Sequence, residues 1–205
     1  MSAKNEYIFY VLALHMFFCC ILHSKLKFHP MKQFLLYISL FLVAFSAALG
    51  QNYTDSLKSK LYIEKDLDTA YSEIVNTGAK LRLPLYFTPF SQEDHYGYVH
   101  IGTASTILGQ KMDSTAFFSV TTNLNKEVFL KQGAELIEEL DMKTLEGRPA
   151  KMYLLRFTAD KTKINRIMFF TGDLNSTLLL TANYPELFSE LLKDVILSSF
   201  ITVQY

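Results

Sequence analysis

The segment LIEELDMKTLEGRPAKMYLLRFTADKTKINRIMFFTGDLNSTLLLTANY, Leu136 to Tyr184, decides the fold. It divides into four strand-length pieces, 136–144, 150–158, 164–171 and 177–183. Each gap carries turn chemistry: Glu146-Gly147-Arg148-Pro149, Asp160-Lys161-Thr162-Lys163 and Gly172-Asp173-Leu174-Asn175-Ser176. Short apolar runs punctuated in this way are the sequence form of an antiparallel meander. Ile167-Met168-Phe169-Phe170 and Leu178-Leu179-Leu180 are apolar at every position, so both faces of these strands need cover and the sheet is internal to a layered domain. The residues speak to architecture; they do not name a substrate or a partner.

On the carboxyl side, Pro185 suits a first helical position and Glu186 the positive end of a helix. Leu187, Phe188, Leu191, Leu192, Val195 and Ile196 then form an apolar stripe, which predicts a helix laid across the meander. A truncation at Leu179 or Leu191 is expected to open a cavity in the core, and residues 200–203 are expected to return as a short strand. On the amino side, Asn125 caps a short helix over 126–132 with Val128, Phe129 and Leu130 buried and Gly133 as its left-handed end. Residues 134–140 have good helix propensity, but Gly133 has just closed a helix and alternation follows, so strand is read from Leu136. Phe117 and Phe118 are read as core, and residues 105–112 as a strand. Residues 80–87 alternate, with Leu81, Leu83, Leu85 and Phe87 on one side, and Pro84 confines this strand to an edge or turns the missing N–H outward. Residues 88–102 read as an irregular loop. Leu57, Leu61, Leu67, Tyr71, Ile74 and Val75 recur at roughly helical spacing, which predicts one or two amphipathic helices over 55–76 closed by Gly78.

The chain has 205 residues, half of them apolar, and no net formal charge. Met31-Lys32-Gln33, an apolar run over 34–45 and the small residues Ser46-Ala47-Ala48-Leu49-Gly50 have the order of a secretory signal peptide. Cleavage is expected after Gly50, with Ala48 as the alternative site. Translation is expected to begin at Met31, with 1–30 an upstream extension. The rival reading makes the apolar run 7–22 an anchor, though it is shorter than the roughly 20 residues of a membrane-spanning helix. Cys19 and Cys20 both precede the cut, so the mature chain is expected to lack disulfides, thiolate metal sites and a cysteine nucleophile, which suits a bacterial periplasmic or secreted protein. Four lysines and one glutamate precede residue 51, leaving 16 basic against 19 acidic residues with no basic run. That balance excludes a sequence-independent nucleic-acid footprint, and no membrane association is expected after signal cleavage. Residues 51–79 are therefore assigned to a helical segment and 80–205 to one domain.

The order of features is familiar. Lys131-Gln132-Gly133 leads into a strand, then Glu146-Gly147-Arg148-Pro149 and two long strands, then Gly172-Asp173, a leucine-rich strand and Thr181-Ala182-Asn183-Tyr184-Pro185-Glu186. From about Lys80 to Val203 this resembles the Mog1/PsbP-like superfamily, in particular its exported bacterial members. The resemblance implies an α+β fold, an α/β/α sandwich whose antiparallel sheet carries helices on both faces. It implies little about activity. The superfamily includes a Ran-binding nuclear factor, a lumenal photosystem subunit and envelope lipoproteins, with no shared catalytic constellation, and function is not carried by fold. The lipoprotein cysteine is missing here.

Chemistry is sparse. The mature chain has two histidines, His95 and His100, no nucleophile elbow and no phosphate-cradling glycine loop. Glu93, Asp94, His95 and His100 are residue types that bind divalent metals, at a spacing that fits no metal motif. Phe90, Tyr96 and Tyr98 beside the two histidines make the 90–100 segment the candidate contact surface, because a tyrosine offers a flat apolar face and a hydroxyl. The expected function is a non-catalytic, cofactor-free binding module for a protein or glycan of the cell envelope. The alternatives are a metal-assisted hydrolase using the same segment and a structural subunit of an envelope complex.

Overall fold

The computed structural model of the chain describes residues 66–92 and 95–205. The four pieces of the deciding segment are strands β6 (Glu135–Lys143), β7 (Pro149–Ala159), β8 (Thr162–Gly172) and β9 (Ser176–Pro185). They pair in sequence order as an antiparallel meander. The sheet is extended past β9 by β5 (Ser105–Asp113), β4 (His95–His100) and β3 (Thr88–Gln92), giving seven antiparallel strands in the order β3-β4-β5-β9-β8-β7-β6. A second sheet is the hairpin β1 (Leu67–Ile74) and β2 (Ala79–Pro84). The whole is an α+β fold dominated by antiparallel sheet. The tightest turn explains itself: Asp160 and Lys161 both adopt positive φ, as a two-residue connection needs to match strand twist.

The doubly apolar strands divide their side chains between two cores. Ile167, Phe169, Leu178, Leu180, Ala182 and Tyr184 join Met152 and Leu154 in one cluster, which also takes Leu81 and Leu83 of β2 and Leu192, Ile196, Leu197 and Phe200 of helix α3 (Ser189–Ile201). Phe170, Tyr153 and Leu155 point the other way, into a smaller cluster with Phe117 of α1 (Phe117–Asn123) and Phe129 of α2 (Lys126–Lys131). Asn125 caps α2 as its sequence predicts, accepting from the Val128 N–H at 3.0 Å, and Gly133 takes the left-handed conformation after it.

Several expectations are corrected. Leu67–Ile74 is a strand, not a helix; Thr69, Tyr71 and Ile74 suit a pleated surface, and pairing along Ala79–Pro84 outweighs the helical spacing. The expected helical stretch 55–65 lies outside the described residues. Gly78, with φ +71, sits in the β1–β2 turn rather than at a helix end. Thr88–Gln92 and His95–His100 pair as the antiparallel strands β3 and β4 instead of forming a loop. Leu85, Phe118 and Leu130 are exposed, and of α2 only Phe129 is buried. Pro185 ends β9 in an extended conformation, a short 3-10 turn follows, and α3 starts four residues later than expected. That shift turns Leu187 and Leu191, 85% and 65% exposed, away from the core. The helix also runs through Ile201, leaving no terminal strand.

The end of the chain nonetheless fastens the hairpin. Lys80 and Gln204 exchange both backbone bonds, at 2.9 and 2.8 Å. The Arg82 N–H donates to Thr202 Oγ1 at 2.9 Å, and Ser199 Oγ donates to the Arg82 carbonyl at 2.6 Å.

Two tyrosines make the cores sensitive to base. Burial pushes the Tyr153 and Tyr184 hydroxyls up to about 12 from an ordinary 10.0. Tyr153 donates to the Thr121 carbonyl at 2.8 Å, a bond it loses on ionising. The unfolded chain releases these protons near pH 10 while the folded chain keeps them. Stability is therefore fully present below pH 10 and falls as pH rises towards 12. Denaturant titrations at pH 9 and 11 should show the loss, and Tyr153→Phe should reduce it; an unchanged slope in that variant would contradict the assignment.

Candidate ligand-binding site

On the sheet face shared with the smaller core, strand register builds a polar row. Arg166 of β8 lies opposite Asn183 of β9, which lies opposite Thr106 of β5. Arg166 Nε donates to Asn183 Oδ1 at 2.7 Å, and Asn183 Nδ2 donates to Thr106 Oγ1 at 3.4 Å. The Phe157 ring lies 4.8 Å from the guanidinium carbon, so a cation–π contact covers one face. Burial holds the Arg166 guanidinium below the usual arginine range. Ring and amide together leave its terminal amino groups without a partner among the described residues.

Beside this row a cavity of about 610 Å³ opens, lined by Arg166, Asn183, Thr181, Gln110, Leu108 and Leu179, with Tyr96 and the Val75–Thr77 turn also on its walls. Thr181 faces Leu108, which faces Gly97, where a Cβ would come within 2.6 Å of the Leu108 side chain and 2.5 Å of the Ile107 carbonyl. The last Cα pair of β4 with β5 is Gly97–Leu108, and Tyr96, one residue beyond, lines the opening. The volume falls within the roughly 300–1,000 Å³ of small-molecule sites.

The residues singled out in the sequence are dispersed. Phe90 pairs with Gly97, and its ring lies on the Leu108 side of the hairpin. Tyr98 packs on the larger core, and its hydroxyl donates to the Glu73 carbonyl at 2.7 Å. Burial raises its pKa, opposed by Ser72 and assisted by Glu73. His100 Nδ1 lies 2.7 Å from Thr103 Oγ1, and its ring stacks on Phe87 at 5.6 Å. Tyr96 is 43% exposed and is the residue of the set that lines the cavity. His95 opens β4 opposite Gln92, and Glu93 and Asp94 lie outside the described residues.

Sequence reading missed Arg166 and Asn183. A signal was available: with Gly172 opposite Thr177 across their turn, antiparallel counting sets Arg166 opposite Asn183. Arg166, directly before the apolar run 167–170, was the second clue.

No protein-family model matches the chain. No curated protein matches it by sequence either. Among solved structures it is similar to the cyanobacterial PsbP (CyanoP) of Synechocystis sp. PCC 6803, at 11% identity and TM-score 0.49 over 66% of this chain and 91% of that one. It is similar to LpqN, involved in cell envelope biogenesis of Mycobacterium tuberculosis, at 11% identity and TM-score 0.46 over 70% and 94% of the two chains. A Pseudomonas aeruginosa protein of unknown function, a putative regulator, matches at 12% identity and TM-score 0.43 over 65% and 94%. A PsbP is thus among the solved structures to which the chain is similar.

Proposed function

We propose that the chain is an exported, non-catalytic binding module of a bacterial cell envelope, an α/β/α sandwich with α3 over one sheet face and α1 and α2 over the other. Its ligand is a protein or glycan held at the cavity and the adjoining hairpin, where Phe90, His95, Tyr96, Tyr98 and His100 lie. The observation that carries this reading is the cavity itself, whose lining residues include Arg166, Asn183, Gln110, Thr181 and Tyr96 beside Leu108 and Leu179. Such a mixture of apolar surface and a few fixed polar groups is how proteins orient a small ligand or a ligand's end group.

Tyr96 is the test residue, because it is exposed and is one of the residues lining the cavity. Arrays of glycans and of purified envelope proteins, probed with the chain, should yield a ligand that is recovered unchanged. Tyr96→Ala should weaken its binding about tenfold, as loss of an aromatic anchor commonly does. Conversion of the ligand, or equal binding by Tyr96→Ala, would overturn the reading. The export half is checked by sequencing the protein from its own cells: Gln51 or Leu49 should come first, and a product beginning upstream of Met31 would refute it.

A further inference from the structure

Resting on the binding-module reading, we infer that the cavity beside β8 and β9 is a subsite for an acidic sugar, a carbohydrate whose carboxylate or phosphate is received by the terminal amino groups of Arg166. Three features of the site carry this. The cavity wall contains two cationic residues, Arg166 and Lys111, and no Asp or Glu among its described lining residues. Lys111 is already matched by Asp113 at 2.9 Å, whereas Arg166 has no carboxylate partner among the described residues. A half-buried guanidinium without a counter-charge suits an incoming oxyanion, which can accept from both terminal amino groups.

The geometry is also prearranged. Phe157 fixes the plane of the guanidinium and Asn183 holds its Nε, so the fork that matches an oxyanion needs little further ordering. The rest of the ligand is constrained by its surroundings. Thr181 and Gln110, on the same sheet face as Arg166, offer hydroxyl and amide partners for sugar hydroxyls.

The test uses D-glucuronate, D-glucose 6-phosphate and D-glucose as probes, titrated by calorimetry and amide chemical shifts against the purified chain. Either acidic sugar should bind at least about tenfold more tightly than glucose, and the better of the two identifies the anion. Arg166→Gln should abolish that preference, and Arg166→Lys should keep part of it, because lysine retains the charge without the fork. Asn183→Asp is nearly isosteric and sets a carboxylate against Arg166, so it too should remove the preference; it decides the matter if Arg166→Gln does not fold. Equal binding of all three sugars, or a preference that survives both Arg166→Gln and Asn183→Asp, overturns the inference. A neutral ligand emerging from the arrays would overturn it while leaving the binding module standing, whereas failure of every array ligand would remove the module itself.

Discussion

Phe169→Ala will lower the unfolding free energy by about 3–5 kcal/mol, while Leu191→Ala will change it by less than about 0.5 kcal/mol. The two side chains have similar hydrophobicity and lie on elements that pack together, so composition does not separate them. Position does. Phe169 is fully buried at the centre of the sheet, where its ring stands 5.8 Å from that of Phe200 on α3. Removing it deletes apolar area from both layers at once and leaves a cavity that paired strands cannot close. Leu191 projects from the outer face of α3, so its truncation removes little buried surface. Urea denaturation of the two variants checks this directly. A loss above about 2 kcal/mol at Leu191 would put the helix in the wrong phase.

Gly172→Ala comes next in size, at the upper end of the ~1–3 kcal/mol that overpacking costs. Gly172 forms the last pair of the β8–β9 hairpin with Thr177. A Cβ there would lie 2.3 Å from the Ser176 carbonyl oxygen and 2.9 Å from Thr177 Cα. Both are backbone atoms, so no rotamer change relieves the clash and the hairpin end must open. More than the turn would suffer. The Asp173 carbonyl accepts the first N–H of α1 from Phe117 at 2.9 Å, and Thr177 Oγ1 donates to the Thr115 carbonyl at 2.7 Å. The variant should therefore lose protection of the α1 amides in hydrogen exchange as well as global stability. Native-like protection at Phe117 would show that the turn adjusts freely.

The meander was legible because its strands are apolar on both faces and its turns are spelled out in Gly, Pro, Asp and Asn. Elsewhere, local signals admitted two answers and tertiary pairing chose between them. Pro185 has φ −58, which suits a first helical turn and an extended strand equally, and pairing with Ile164 selects the strand. Leu67 and Ile74 are buried at both ends of β1, a spacing that also fits two helical turns, and only the partner β2 distinguishes them. Tyr96, Tyr98 and His100 suggested one surface because they are close in sequence, yet Tyr98 and His100 spend their polar atoms on Glu73 and Thr103. The cavity was harder to see, because Arg166, Asn183 and Gln110 on its wall come from three strands. The pairing of β8 with β9 follows from a short turn, but that of β5 with β9 spans a long intervening stretch that no local pattern fixes.

The bonds from Ser199, Thr202 and Gln204 to β2 have a consequence for the order of assembly. Arg82 lies 120 residues before Thr202 and 117 before Ser199, so the early hairpin cannot be locked until the distant segment has folded back onto it, and such pairings are the slow ones in folding. In refolding followed by pulsed hydrogen exchange, the Arg82 amide should gain protection after the amides of the β7–β8 hairpin.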